Sequence, residues 1–126
     1  MISNQILQTT IDGLKNITRI DISVMDTEGK VLASTVENPE QYENIVLSFV
    51  ASPADSQSIQ GYQFFKVFEE HQLEYVIVAK GDSEDVFMVG KIAAFQIQNL
   101  LVAYKERYDK DNFIKNLLLD NLLLVD

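Results

Sequence analysis

The chain of 126 residues contains no cysteine, so disulfide frameworks, thiolate metal sites and thiol nucleophiles are all excluded. It contains one histidine, His71, which lies between Glu70 and Gln72 in a predicted hairpin turn. A hairpin tip does not readily supply the partners that a catalytic or metal-binding histidine needs. We therefore interpret His71 as an exposed turn residue.

Acidic residues are frequent, but they do not form a recognisable chemical motif. The pairs Glu69-Glu70 and Glu84-Asp85 and the nearby Asp109 and Asp111 lack the oxygen-ligand spacing of a calcium loop. Solvated surfaces and helix N-termini account for them. The five glycines are isolated, so no phosphate-binding loop is predicted. We expect no enzyme activity, no metal and no cofactor.

The chain has little basic charge and no long apolar run. Its net charge of -9 and pI near 4.4 argue against direct contact with nucleic acid and against binding to anionic membranes. No stretch reaches the roughly 18 consecutive apolar residues of a membrane span. The start, Met1-Ile2-Ser3-Asn4-Gln5, lacks the basic flank and apolar core of a secretory signal. One soluble, cytoplasmic domain is predicted.

Hydrophobic spacing in the first part of the chain predicts a helix and a β-hairpin. Apolar residues recur at helical spacing between residues 3 and 17, with Ser3 as the expected N-cap. Alternation over residues 19–25 predicts a strand, and residues 31–34 predict its partner. The turn between them, Asp26 to Lys30, contains a glycine that can adopt positive φ.

The remainder of the chain predicts further strands between helices. Pro39 indicates the start of a short helix that ends near Ala51, and a polar loop from Ser52 to Ser56 follows. Asp82 or Ser83 is expected to cap a long helix. The predicted elements between that loop and that cap are a short strand near residues 58–60 and two strands at residues 62–68 and 73–80.

The predicted fold is α+β, with a small antiparallel sheet flanked by helices in a layered sensor architecture of the PAS, GAF or roadblock kind. Residues 1–82 would form the sensor core and residues 83–126 a helical segment for dimerisation and signalling. A helix over residues 84–107 would be about 35 Å long, which exceeds what a small sheet covers. Helical periodicity resumes at Phe113, and we expect the natural protein to continue after Asp126.

Polar residues on otherwise apolar strands are the candidate ligand contacts. If the short helix covers the second face of the first strand, polar side chains would lie inside a pocket of the kind that small ligands require. The sequence favours exposure of that face to solvent over burial in such a pocket. Lys66 is interpreted as an edge residue whose amine reaches water, and the alternative is a cation for an anionic ligand. The candidate ligand-binding residues are Arg19, Ser23, Ser34, Thr35, Lys66 and Tyr75.

The apolar surface of the C-terminal helices is larger than the predicted sheet can bury. A helical homodimer would use the surplus, and it could pass a change in the pocket to a following domain. The candidate dimerisation residues are Phe95, Leu100, Leu101, Tyr104, Phe113, Leu117, Leu118 and Leu122.

Two hairpins and the C-terminal segment resemble one family of bacterial regulators. The stretch from Ile20 to Ser34 resembles the opening hairpin of the sugar-diacid recognition domain of carbohydrate diacid regulators. The hairpin over residues 65–79 is similar to that domain's later hairpin, and residues 113–126 are similar to the lead into a helix-turn-helix. The resemblance implies a small organic acid or sugar acid as effector. In this chain, however, Tyr75-Val76-Ile77-Val78-Ala79 stands where family members have a glycine-rich strand end.

These observations predict the sensing and dimerisation domain of a cytoplasmic transcription regulator. DNA would be contacted only by a C-terminal domain outside this chain, and the partner of this segment would be a second copy of itself. The alternative is a protein interaction platform of the roadblock or longin type, which shares the element order and would have a filled core without a pocket.

Overall fold

The computed structural model describes residues 2–37, 39 and 43–124. These residues form three helices and five strands, which confirms the predicted α+β class. The elements are α1 (Asn4–Thr18), β1 (Ile22–Met25), β2 (Val31–Ser34), α2 (Glu43–Ala51), β3 (Ser56–Ile59), β4 (Tyr62–Glu69), β5 (Gln72–Lys80) and α3 (Glu84–Leu124).

The five strands form one antiparallel sheet in the order β2-β1-β5-β4-β3. The two hairpins predicted from the sequence are therefore joined side by side through β1 and β5. In that central pairing Ser23 lies opposite Val78 and Val24 lies opposite Ile77. Because directly opposed residues share a face, the apolar residues of the two hairpins form continuous surfaces on both sides of the sheet.

Helices cover both faces of the sheet. On one face α1 and α3 lie together, and their Leu7, Ile11, Ala93, Ile97 and Leu101 pack with apolar residues from the strands. On the other face α2 places Val46 and Phe49 against the strand residues Met25, Phe64, Val76 and Val78. Strand β1 is buried over its whole length because it is covered from both sides.

Local signals in the sequence explain where several elements begin and turn. The Ser3 hydroxyl accepts a hydrogen bond from the Ile6 N–H at 3.3 Å, so the predicted N-cap of α1 is confirmed. Gly29 adopts φ +85° in the β1–β2 turn, as predicted. The Asp26 carboxylate accepts hydrogen bonds from two backbone N–H groups of that turn, each at 2.9 Å, which fixes its shape.

At Ser34 the outer edge of β2 is bonded to a side chain of α1. The Gln8 amide donates to the Ser34 carbonyl at 2.8 Å, and its oxygen accepts from the Ser34 N–H at 3.0 Å. These two bonds replace those that a neighbouring strand would make. They also attach α1 to the sheet.

Helix α3 is one continuous helix of 41 residues, whereas the sequence predicted an interruption before Phe113. At 1.5 Å per residue it is about 60 Å long. Its packing against the sheet reaches Leu101 and, with a half-buried side chain, Tyr104. Part of α3 thus belongs to the core that the sequence analysis placed in residues 1–82, and the rest continues past it.

A stretch of α3 within residues 84–115 is long and apolar enough to cross a membrane, judged by length and composition alone. Core helices of soluble proteins meet the same criterion. Here Ala93 and Ile97 are fully buried against the sheet, and 33% of the apolar window is buried within the protein. The architecture is that of a small soluble-type α+β domain.

Close packing between α3 and β4 predicts an unusual effect of an alanine substitution. A Cβ at Gly90 would lie only 2.1 Å from the ring of Phe65, which is itself buried. We expect Gly90→Ala to lower the free energy of unfolding by about 1–3 kcal/mol, because overpacking outweighs the helix propensity gained. Urea unfolding followed by circular dichroism measures the change.

The matched control is Gly13→Ala in α1, where a Cβ would meet no atom within 4 Å. Alanine there should raise the free energy of unfolding by up to about 1 kcal/mol. Equal shifts of both variants in the same direction would contradict the close contact at Gly90.

Candidate functional site

Ser23 and Ser34 lie opposite each other on β1 and β2, and they bind each other. Their hydroxyl oxygens are 2.8 Å apart, and the Ser34 hydroxyl also bonds to the backbone of Val36. Ser23 is only 2% exposed, so the expectation that this face of β1 meets solvent is wrong at Ser23. Both hydroxyls already have partners within the chain.

The layer between the sheet and α2, where the ligand pocket was expected, is filled by side chains. Phe49 and Phe64 have no exposed area, and their ring centroids are 5.8 Å apart. Val46 and Val78 complete the contact on either side. Ser23 is therefore buried beside this packed layer, and Ser34 is half-buried.

Thr35 belongs to a polar cluster at the start of β1. Its hydroxyl donates to the Asp21 carboxylate at 2.9 Å and accepts from the Ile22 N–H at 3.0 Å. The Lys15 ammonium donates to the same carboxylate at 2.5 Å. Burial opposes ionisation of Asp21, but the hydrogen bonds from Lys15 and Thr35 and the nearby positive charges outweigh it and lower its pKa.

Arg19 and Lys66 lie on different elements of the fold and make different contacts. Arg19 is exposed and ends α1 with φ +64°, donating its backbone N–H to Lys15. The Lys66 ammonium donates to the Ser52 carbonyl and lies 5.0 Å from the centroid of the Phe49 ring. β4 is flanked by β3 and β5, so the prediction that Lys66 lies on an edge strand is wrong.

Tyr75 lies on the face of the sheet that α1 and α3 cover, and it lines a cavity of about 250 Å³. The residue is 3% exposed, and the backbone of Ile2 is within hydrogen-bonding reach of its buried hydroxyl, which makes no well-aligned hydrogen bond within the described part of the chain. Burial raises the pKa of Tyr75, and the negative charges of Glu74 and Glu69 add to the effect, whereas the nearby backbone of Ile2 opposes it. The structure therefore does not bring the six candidate ligand residues together.

The candidate dimerisation residues divide into two groups. Leu101 is 2% exposed and belongs to the protomer core, and Leu100 and Tyr104 are half-buried against the same cluster. The second group is exposed. Leu122 is assigned to neither group, because the structure describes its helical backbone but not its side chain. Exposed members of the set are Phe95 at 68% and Phe113 at 67%, together with Leu117 and Leu118.

Sequence reasoning missed three exposed residues that share a helix face with Phe95. Met88, Ile92, Phe95 and Val102 follow one another at spacings of four, three and seven residues, and all four are exposed. The face is opposite the one that packs Ala93, Ile97 and Leu101 on the sheet. A helical-wheel projection of the α3 sequence would have separated the exposed apolar face from the buried one. We call Met88, Ile92, Phe95 and Val102 the outer stripe.

The tip of the β4–β5 hairpin contacts α3. Glu70 and His71 form the two-residue turn, and both have positive φ, at 49° and 71°. The turn places Glu70 in an ion pair with Lys105 of α3. His71 is exposed in this turn, as its position in the sequence predicted.

No protein-family model matches the chain, and no curated protein is significantly similar to it. Function must therefore be inferred from the residues and their geometry.

The cluster around Asp21 predicts a pH-dependent contribution to stability. Asp21→Asn keeps an oxygen for Thr35 but removes the charge that faces Lys15, and both side chains are partly exposed. We expect a loss of about 1 kcal/mol or less in the free energy of unfolding at neutral pH. The carboxyl pKa is lower in the folded state, so this stabilisation is complete above about pH 4 and is lost as the pH falls through the folded-state value.

Urea unfolding of wild type and Asp21→Asn at a series of pH values tests this expectation. The two curves should differ at neutral pH and converge in acid. A difference that grows as the pH falls would have the wrong sign.

The buried hydroxyl of Tyr75 makes no well-aligned hydrogen bond within the described part of the chain, so we expect its removal to do no harm. A buried donor without a partner costs about 1–3 kcal/mol, so Tyr75→Phe should raise the free energy of unfolding, by about 1 kcal/mol. Urea unfolding at a fixed protein concentration measures the change. A clear loss of stability would mean that the hydroxyl has a favourable partner in solution.

Proposed function

We propose that this chain is the dimerisation and sensing module of a cytoplasmic transcription regulator, and that two copies pair through the outer stripe of α3. The observation that carries the proposal is this line of exposed, large apolar side chains along a rigid helix. Contiguous exposed apolar surface of this kind marks interaction sites in soluble proteins.

A second copy is the occupant that the charge distribution favours. The whole chain carries 19 acidic residues, yet residues 86–104 contain none, and Lys91 is their one charged residue. Two copies with net charge -9 can approach each other along this segment without opposing carboxylates. A two-fold axis through the stripe would make the surface complementary to itself.

The length of α3 supports a role in transmission. Past Tyr104 the helix continues for about 30 Å and exposes Phe113, Ile114, Leu117 and Leu118. A continuous helix connects these side chains rigidly to the residues packed on the sheet. A change at the sheet or at the dimer axis would therefore move the far end of α3 as well.

The regulator part of the proposal draws its support from the resemblance of the two hairpins and the C-terminal segment to carbohydrate diacid regulators. Acidic composition agrees with a domain that leaves DNA contacts to another part of its protein. If this assignment is right, the reading frame continues beyond Asp126 into a helix-turn-helix, and a stop codon there would contradict it.

An interaction platform of the roadblock or longin type is the second candidate. The filled layer between α2 and the sheet favours it, because such a platform needs no pocket at that position. The two candidates differ in the partner: the platform would use the outer stripe for a different protein, and the isolated chain would then be a monomer.

Dimerisation predicts a specific response to a charge in the outer stripe. Phe95→Glu replaces an exposed ring and should not disturb the protomer, but it would place a carboxylate in the middle of the interface. We expect the dissociation constant of the dimer to rise by roughly thirtyfold or more, as for a central hot spot. Light scattering coupled to size exclusion over a concentration series measures this constant.

The matched control is Ile17→Glu, which changes an even more exposed apolar residue on α1, away from the stripe. Wild type and Ile17→Glu should have twice the chain mass of 14.3 kDa, and Phe95→Glu should shift towards one chain mass. A monomeric wild type at high micromolar concentration would refute pairing and support the platform.

A further inference from the structure

The outer stripe of α3 has a polar residue near its centre. Seven residues separate Phe95 from Val102, and Asn99 divides this interval into steps of four and three residues. The Asn99 side chain is exposed, and its amide makes no hydrogen bond within the part of the chain that the structure describes. Asparagine is a weak helix former, so helix propensity does not account for this residue in the middle of α3.

With Asn99 included, the stripe has the spacing of a coiled-coil contact. Met88, Ile92, Phe95, Asn99 and Val102 follow one another at alternating steps of four and three residues. This order assigns position a of the heptad to Ile92 and Asn99, and position d to the other three residues. A β-branched residue at position a, such as Ile92, favours two strands in parallel coiled coils.

Charge sets the length of this contact, and we call residues 88–102 the seam. The next position a on either side is acidic, at Asp85 and at Glu106, and both residues are exposed. Like charges at these positions would repel in an in-register pair, so the contact ends before them. Inside the seam Lys91 is the one charged residue. It occupies position g, and the two g positions of a parallel pair lie on opposite sides of the seam.

The sheet compensates for the shortness of the seam. The seam spans 15 residues, and free helices of about that length are marginally stable in water. In this protein Ala93, Ile97 and Leu101 hold the opposite face of α3, since they are buried against the sheet. Pairing therefore orders no further backbone, and each copy presents the seam at a fixed rotation.

The Asn99 amide distinguishes the two possible directions of pairing. An amide is both a donor and an acceptor, so in a parallel, in-register pair the two Asn99 side chains can bond to each other. In an antiparallel pair Asn99 would face the apolar start of the seam, at Met88 or Ile92. Its polar atoms would then lose water without gaining a partner, which makes this direction unfavourable.

We propose that two copies of α3 pair in parallel and in register along the seam, and that a hydrogen bond between the two Asn99 side chains selects this arrangement. A single asparagine at position a can fix the register of a coiled coil, at some cost in affinity. This inference rests on the proposed pairing through the outer stripe, and it adds the direction of pairing and the residue that determines it. The far ends of both α3 helices then extend from the dimer in the same direction.

Opposite charges at position 99 test whether the two side chains face each other. Asn99→Asp and Asn99→Lys are prepared in the full chain, one of them isotope-labelled, and mixed for native mass spectrometry. Each variant alone should dimerise more weakly than wild type, because like charges meet across the seam. In the mixture, heterodimers should exceed homodimers by roughly tenfold or more, since the opposite charges attract.

The matched control is the same pair of substitutions at Gln96, which is exposed and occupies position e. The two Gln96 side chains lie on opposite sides of a parallel seam, so Gln96→Asp and Gln96→Lys should mix statistically. Preferential heterodimers of the Gln96 variants would contradict the proposed geometry.

Distances between spin labels report the direction of pairing, because the chain has no cysteine and a single one can be introduced. Glu84→Cys and Ala103→Cys place labels at two exposed sites of α3 that are 19 residues apart. In the proposed pair both label-to-label distances are roughly 25 Å or less, because the helix axes are about 8–10 Å apart. In an antiparallel pair centred between the sites, the two axial separations add up to about 57 Å, so at least one distance reaches roughly 30 Å.

One long label distance, or a statistical mixture of the Asn99 variants, would overturn the parallel register while the dimer itself stands. A monomeric wild type in light scattering would overturn the pairing and this inference together. Position 99 and both label sites are exposed, so substitutions there should leave the protomer folded.

Discussion

The contact of Ala93, Ile97 and Leu101 with the sheet determines the rest of the molecule. These three residues fix the rotation of α3, so that Met88, Ile92 and Phe95 must face outwards. Close approach at Gly90 holds the same orientation near the start of the helix. The sheet buries one apolar face of α3 and leaves Met88, Ile92, Phe95 and Val102 exposed, so a protomer with a well-packed core still has apolar surface.

Most elements could be predicted from local patterns. The strands β1 and β5, the cap at Ser3 and the positive φ at Gly29 follow from short segments, and the structure confirms them. The continuity of α3 was not predicted, because the polar residues from Tyr108 to Asp111 interrupt its apolar pattern. Asp109 and Lys110 are exposed in the structure, so this polar stretch lies on the surface of α3 without ending it.

The candidate site was harder to predict because it depends on contacts between distant segments. Parity along β1 placed Ser23 opposite the apolar face, but it could not show that Ser34 would satisfy its hydroxyl. Lys66 was interpreted as an edge residue, and only the pairing of β3 with β4 shows that its strand is internal. Tyr75 was chosen as a bulky departure from the pattern of a resembling family, and only the fold shows that it lies beside a cavity with Asp26.

The amide of Gln8 on β2 has a consequence for the behaviour of the protein at high concentration. An exposed strand edge invites other chains to extend the sheet, which is a common start of aggregation. At Ser34 an incoming strand would first have to displace a side chain that already satisfies both backbone groups. Extension of the sheet through Ser34 is thereby discouraged, because both of its outward backbone groups are already bonded within the chain.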